Sequence, residues 1–171
     1  MTAFDRKIAF VLRFLMAWTF LYAASHQIFG DFSVVGFLRG TKTFHALFTP
    51  FTTPAMAPVT TFLVAWGHLL IGLSLLVGLM VRLSASCGAA LLLTYWFAHM
   101  DFPYIENHNN FLVDYHIVYL VVLVWLVAKN AGRVAGLDAV AARLPFVANN
   151  GLLRWATGGP VADRGRRSPA P

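Results

Sequence analysis

Residues 59–81 read VTTFLVAWGHLLIGLSLLVGLMV, and Arg82 separates them from a second apolar run, LSASCGAALLLTYWFAHM, over residues 83–100. A helix that crosses the hydrocarbon core of a bilayer needs about 20 mostly apolar residues, and each run is near that length. Because only Arg82 lies between the two runs, they are predicted to form an antiparallel helical hairpin. The hairpin indicates an all-α membrane protein.

Two further apolar runs flank the hairpin. The first covers residues 8–29 and ends at Gly30 and Asp31, and the last covers residues 111–128. Between the first run and the hairpin, residues 31–58 are too polar to span a membrane, and their aromatic and basic residues suggest an amphipathic segment at the membrane surface. The predicted fold is therefore an all-α integral membrane four-helix bundle with an interfacial segment between helices 1 and 2.

Composition supports one membrane domain. Hydrophobic residues make up 58% of the 171 residues and charged residues only 12%, against about 25% charged residues in a soluble domain. Residues 1–143 are predicted to form that domain. Residues 144–171, where Gly, Pro and Arg accumulate, are predicted to form a disordered basic cytoplasmic tail.

Charge and cysteine content exclude several classes of function. The net charge of +6 does not indicate nucleic-acid binding, because the basic residues lie at the ends of apolar runs and in the tail, without a binding motif. Cys87 is the only cysteine, so the chain contains no intramolecular disulfide, CxxC pair or thiolate-rich metal site. Redox chemistry would therefore need a bound cofactor, a metal held by nitrogen and oxygen ligands, or a partner.

The distribution of basic residues predicts orientation, since cytoplasmic loops carry an excess of Lys and Arg. One side of the bundle carries Arg6, Lys7, Arg82, Lys129, Arg133 and Arg143. The other side carries Arg39 and Lys42 beside acidic residues. We expect a multi-pass protein of the cytoplasmic (inner) membrane with both termini in the cytoplasm.

Ionisable residues inside the spans are costly and therefore suggest function. In this orientation His26, His99, Asp114 and His116 fall near the outer ends of the helices, with Glu106 and His108 in the loop above them. His68 lies about ten residues, or roughly 15 Å, below Pro58, near the membrane midplane. The sequence thus predicts that five of the six histidines surround an outward-facing cavity.

Helical spacing predicts which of these side chains cooperate. Tyr95 and His99 are four residues apart and His116 and Tyr119 are three apart, so each pair shares a helix face. Asp114 and His116 point about 200° apart on a regular helix and are not expected to touch unless the helix unwinds there. Arg13 is expected to extend toward the cytoplasmic headgroups, with an internal ion pair as the alternative.

Three interpretations of the cluster remain open. A quinone headgroup needs hydrogen-bond donors and a proton route, and imidazoles, which titrate near neutral pH, supply both. A metal or haem site could use the same imidazoles, yet HExxH, Glu-x-x-His and thiolate patterns are missing, and neither group is predicted. In the third interpretation, the polar groups only satisfy one another or extend to the interface.

Three stretches resemble the DoxX/DoxD family: LRFLMAWTFLYAASHQIFG (residues 12–30), GHLLIGLSLLVGLMVRLSA (67–85) and NHNNFLVDYHIVYLVVLVWLVAKNAGRVAGLDA (107–139). The resemblance covers residues 11–139. It implies a four-helix membrane protein and, in one branch, a subunit of thiosulfate:quinone oxidoreductase, which passes electrons from thiosulfate to quinone and forms tetrathionate. His68 stands where many members have Glu, and His26-Gln27 where many have Lys. The motif FLVDYH (111–116) looks like that of DoxD-like members.

The leading hypothesis from the sequence is a membrane subunit of a quinone-linked oxidoreductase, with thiosulfate as the first substrate to test. His116, His99 and Asp114 are the predicted catalytic residues, and His26, His68, Tyr95 and Tyr119 are predicted to line the quinone pocket. Quinone is the expected co-substrate, and lipid and a second oxidoreductase subunit are the expected partners. The alternative is a non-enzymatic membrane anchor or partner of another redox protein. A transporter ranks last, because neither broken helices nor an inverted repeat is evident.

Overall fold

The computed structural model describes residues 1–105, 111 and 113–159, and it contains no strands within those residues. The described helices are α1 (Ala3–Phe29), α2 (Val34–Arg39), α3 (His45–Phe48), α4 (Ala57–Val77), α5 (Val81–Phe97), α6 (Tyr115–Ala128), α7 (Asp138–Ala141), α8 (Pro145–Asn149) and α9 (Gly151–Ala156). Short 3₁₀ helices cover Thr49–Thr52 and Ala131–Arg133. Glu106 and His108 lie outside the described residues.

Helices α1 and α4 are long and apolar enough to cross a membrane. Their outward faces carry exposed large apolar side chains, among them Trp18, Leu63 and Leu70. Such a surface would be unfavourable in water but suits lipid. Helices α5 and α6 are also apolar but shorter, and the 14 residues of α6 rise only about 21 Å.

The four long helices share one core. Helix α1 packs against α4 and α6, and α5 packs against α4 and α6. The core contains Phe20 from α1, Leu75 from α4, Ala85 from α5 and Leu123 from α6. The predicted hairpin therefore corresponds to α4 and α5, which are consecutive and in contact.

The turn between α4 and α5 lies before the residue that the sequence suggested. Helix α4 ends at Val77 and is capped by Gly78, whose φ of 70° is left-handed, and Met80 also has a positive φ of 55°. Arg82 instead lies in the first turn of α5. Glycine tolerates positive φ without the steric cost of a Cβ atom, and this explains the position of the turn.

The segment between α1 and α4 folds against the protein. Thr41 Oγ1 donates a hydrogen bond to Ala98 O at 2.9 Å, and Lys42 N donates to Met100 O at 3.1 Å. Lys42 Nζ also pairs with Asp101 at 3.0 Å. These contacts fix the segment to the end of α5, and its buried apolar side chains, including Leu38 and Phe48, form a second small core.

The expected position of Arg13 is corrected by the structure. Its side chain is only 2% exposed, so it does not extend to the headgroups. Nη1 donates hydrogen bonds to the carbonyl oxygens of Ala131 and Val134 at 2.9 and 3.0 Å, and Nη2 donates to Ala135 O at 3.0 Å. The guanidinium is retained inside because three carbonyl groups surround it.

The predicted disordered tail also needs correction over its first part. Residues 145–156 contain α8 and α9, and the Asn150 side chain caps α9 by accepting hydrogen bonds from Leu152 N and Leu153 N. Val147 and Ala156 are buried, so their apolar contacts help to hold this part in place. Residues 160–171 lie outside the described residues.

Candidate functional site

A cavity of about 500 Å³ lies between α1, α4, α5 and α6, with the α2–α3 segment over it. Most of its wall is apolar, and the aromatic side chains of Phe20, Phe32, Phe37 and Phe48 contribute to it. The polar side chains on the wall are those of Thr19, Gln27, Thr60, His68, Thr94, Tyr95, Tyr115, His116 and Tyr119. An apolar cavity of this size with a few polar groups is typical of a small-molecule site.

Three rings from three helices follow one another along the wall. His68 on α4 stacks on Tyr95 of α5 with ring centroids 5.8 Å apart. Tyr95 in turn contacts His116 of α6 at 5.3 Å. The structure thus brings together three of the residues that the sequence singled out, and Tyr119 lines the same cavity.

His68 is buried, with 4% of its surface exposed, and Phe20 packs on its ring at 5.4 Å. Its Nδ1 lies 2.7 Å from the carbonyl oxygen of Val64, one turn earlier in α4. A carbonyl oxygen only accepts hydrogen bonds, so Nδ1 carries the proton and donates it. This contact fixes the orientation of the ring.

Asp114 and His116 are in direct contact, contrary to the expectation from helical spacing. Asp114 precedes α6 with an extended backbone, and its Oδ1 accepts hydrogen bonds from His116 N at 2.8 Å and His116 Nδ1 at 2.7 Å. The prediction failed because it placed residue 114 inside the helix, whereas the aspartate is its N-terminal cap. Asp114 is 1% exposed, so the contact is sheltered from solvent.

His99 approaches the same carboxylate from the end of α5. Its Nε2 lies 4.0 Å from Asp114 Oδ2, which exceeds hydrogen-bonding distance. Asp114 Oδ2 and His99 Nδ1 are both buried without a hydrogen-bond partner among the described residues. The His99 side chain is 30% exposed and that of His116 14%, so the three groups lead from the more accessible surface to the cavity.

His26 lies outside the cavity, contrary to its predicted place in the pocket. It is exposed, its Nδ1 contacts the carbonyl of Tyr22 at 3.1 Å, and its ring packs on that of Tyr22 at 4.4 Å. The next residue, Gln27, lines the cavity instead. Adjacent residues on a helix point about 100° apart, so His26 points away from the cavity that Gln27 faces.

Sequence reasoning missed several polar residues of the wall. On α1, Thr19, Ala23 and Gln27 recur every four residues and form one stripe that faces the cavity. That periodicity was a usable signal, because two polar side chains at this spacing interrupt an apolar helix. Tyr115 was also overlooked, and it packs on Tyr119 at 5.7 Å.

Comparison with known protein families identifies the family of this chain. The family model DoxX matches residues 8–100, which are more than half of the chain. The chain belongs to the DoxX family. DoxX membership and the two long apolar helices indicate a membrane protein. The matched region contains His68, Tyr95 and His99 but ends before Asp114 and His116, and no curated protein and no solved structure matches the chain significantly.

Proposed function

We propose that this DoxX-family protein is the membrane subunit of a quinone-linked oxidoreductase and that its cavity holds the quinone headgroup. The observation that carries the proposal is the convergence of His68, Tyr95 and His116 on one largely aromatic cavity, with Asp114 hydrogen-bonded to His116. Aromatic walls suit a flat ring, and the polar groups suit its oxygen atoms.

In this proposal all four long helices cross the inner membrane as one bundle, with both termini in the cytoplasm. Arg13 of α1 donates a hydrogen bond to a carbonyl group just after α6, and Asp138 accepts a hydrogen bond from the first residue of α5. These parts of the chain therefore meet at one end of the bundle. Most of the basic residues outside the tail lie at this end, as expected for the cytoplasmic side. His99 and Asp114 then belong to the outer half.

The proposed reaction transfers two electrons to the quinone, and thiosulfate is the first electron donor to test. Two thiosulfate ions form a sulfur–sulfur bond to give tetrathionate and release two electrons, while quinone takes up two electrons and two protons to become quinol. His116, with its Nδ1 held by Asp114, exchanges protons at Nε2 with a quinone oxygen, and His99 and Asp114 supply the route from the outer face. No group evident in the sequence is suited to the sulfur–sulfur step, so the test below also asks whether a partner subunit must supply it.

The test compares thiosulfate-dependent quinone reduction by the wild type with that by two variants in lipid nanodiscs, with a soluble quinone analogue. We expect His116→Ala to lower the rate by about a hundredfold or more, because a positioned acid–base group contributes at least that much. His26→Ala is the matched control, since this histidine lies outside the cavity, and its rate should equal that of the wild type.

Two results would count against the proposal. Equal rates in His116→Ala and His26→Ala would remove His116 from the reaction. Failure of the wild type to bind the quinone analogue at all would overturn the quinone site. Binding without turnover at saturating thiosulfate would instead reject this chain as a self-sufficient thiosulfate enzyme and direct the search to its partner.

A further inference from the structure

Both histidines and all three threonines on the cavity wall use their polar hydrogen atoms in hydrogen bonds within the protein. His68 donates its Nδ1 proton to Val64 O, and the lone pair of Nε2 remains. His116 Nδ1 is hydrogen-bonded to Asp114 Oδ1, which also accepts the backbone N–H of His116. With Asp114 as a carboxylate, which only accepts hydrogen bonds, Nδ1 is the donor in this contact. His116 Nε2 is thus also a hydrogen-bond acceptor in the neutral ring.

The threonines on the cavity wall also donate their hydroxyl protons within the protein. Thr19 Oγ1 donates to Leu15 O at 3.0 Å, and Thr94 Oγ1 donates to Ala90 O at 2.9 Å. Thr60 Oγ1 likewise donates to the carbonyl one turn before it, at 2.9 Å. Each hydroxyl proton is used within its own helix, so toward the cavity these oxygens offer only lone pairs.

Gln27 adds an acceptor that has no partner. Its Oε1 is buried and forms no hydrogen bond within the described part of the chain. A buried acceptor without a partner is unfavourable, and a ligand that donates a hydrogen bond relieves that cost. The remaining donors on the wall are the tyrosine hydroxyls, each of which also accepts, and the Gln27 amide, which interacts with Tyr95.

We propose that the cavity binds the reduced, dihydroxy form of its ligand more tightly than the oxidised, dicarbonyl form. The proposal rests on the proposed quinone function and specifies the redox state that the site prefers. A quinol donates two hydrogen bonds and matches the acceptors at His68, His116 and Gln27, whereas a quinone has only acceptors to set against them. His68 and His116 both contact the ring of Tyr95 and both line the cavity, so the two acceptors are available to the same ligand.

The preference has a direct consequence for electron transfer. A site that binds quinol more tightly than quinone raises the midpoint potential of the bound pair, so the bound quinone becomes a stronger oxidant. A tenfold preference corresponds to about 30 mV for a two-electron couple. The acceptor-rich wall would thus favour electron flow from a donor into bound quinone.

The experiment measures the dissociation constants of one short-chain benzoquinone analogue in both redox states. Wild-type protein in lipid nanodiscs is titrated anaerobically, with quinol maintained by excess reductant, and binding is followed by quenching of tryptophan fluorescence. We expect quinol to bind about tenfold more tightly or better, since a net gain of one or two hydrogen bonds has this effect.

Two variants at His68 assign the preference to its acceptor. His68→Phe keeps an aromatic ring but removes Nε2, and we expect its preference for quinol to fall toward unity. His68→Gln retains an acceptor at the end of the side chain and should keep most of the preference. Thermal unfolding of each variant verifies its fold.

The outcomes separate this inference from the function on which it rests. Equal affinities, or tighter binding of quinone, in the wild type overturn the inference and leave the quinone site intact. Absence of binding in both redox states overturns both. A preference that persists unchanged in a folded His68→Phe variant overturns the role of His68.

Discussion

We expect Arg13→Met to unfold at a temperature roughly 10 °C below that of the wild type. Removal of one partner from a buried charged cluster costs about 3 kcal/mol or more, and each kcal/mol shifts the midpoint of a chain this size by about 2–4 °C. Methionine fills a similar volume but leaves the carbonyl groups of Ala131, Val134 and Ala135 without their donor. The measurement is tryptophan fluorescence during heating of protein in nanodiscs.

The large effect follows from the position of Arg13 between distant parts of the chain. Its Nη1 bonds Ala131 O across 118 residues, and Asp138 nearby accepts hydrogen bonds from Met80 N at 2.6 Å and Val81 N at 3.1 Å. Burial raises the pKa of the Asp138 carboxyl, while the two N–H groups and the charge of Arg13 oppose that rise. Loss of Arg13 therefore also removes a favourable charge from a buried carboxyl group.

Arg6→Met is the matched control, because Arg6 lies on the same helix but is exposed. Its midpoint should stay within about 2 °C of the wild type, since surface substitutions change stability by roughly 0.5 kcal/mol or less. Equal midpoints for Arg13→Met and Arg6→Met would contradict the buried cluster.

A further prediction examines the same cluster through its backbone. We expect Gly78→Ala to lower the midpoint as well, because Gly78 has φ of 70° and an added Cβ would lie 2.5 Å from Arg13 Nη1. Gly67→Ala provides the comparison, since nothing lies within 4 Å of its added Cβ. A Gly78→Ala variant as stable as Gly67→Ala would show that the turn tolerates a side chain.

The helices were predictable from the sequence to within a few residues at most ends, and the reason is physical. Apolar runs near membrane-spanning length and a break such as Gly30-Asp31 are local signals, so α1 and α4 were expected where they occur. The start of α6 was not, because it depends on one capping interaction. Asp114 ends the loop and begins the helix, whereas hydropathy alone extended the helix back to residue 111.

The candidate site was predictable in part, and the limit was the rotation of each helix about its axis. His68, Tyr95, His116 and Tyr119 were singled out because they are polar groups in apolar runs, and all four line the cavity. His26 satisfied the same criterion but faces outward. The sequence contains no long-range signal for that rotation, just as it contains none for the bonds between Arg13 and residues 131–135.

The second large effect is expected at Asp114, where Asp114→Asn should lower quinone reduction by about a hundredfold while the protein remains folded. Asparagine and aspartate are equally good helix caps, and the amide oxygen still accepts the hydrogen bonds from His116 N and Nδ1. The substitution removes only the negative charge, which stabilises the imidazolium formed when His116 Nε2 takes up a proton.

Asp114→Ala separates the cap from the charge. It removes both, so we expect the same loss of turnover together with a loss of about 1 kcal/mol of stability from the missing cap, detected as a lower unfolding temperature. Quinone affinity should change little in Asp114→Asn, because Asp114 acts through His116 and is not part of the cavity wall. A positioning role thus predicts a fall in kcat with a steady dissociation constant for the quinone analogue. If Asp114→Asn instead kept full turnover, the buried carboxylate would be only a cap of α6, and proton exchange would have to proceed without it.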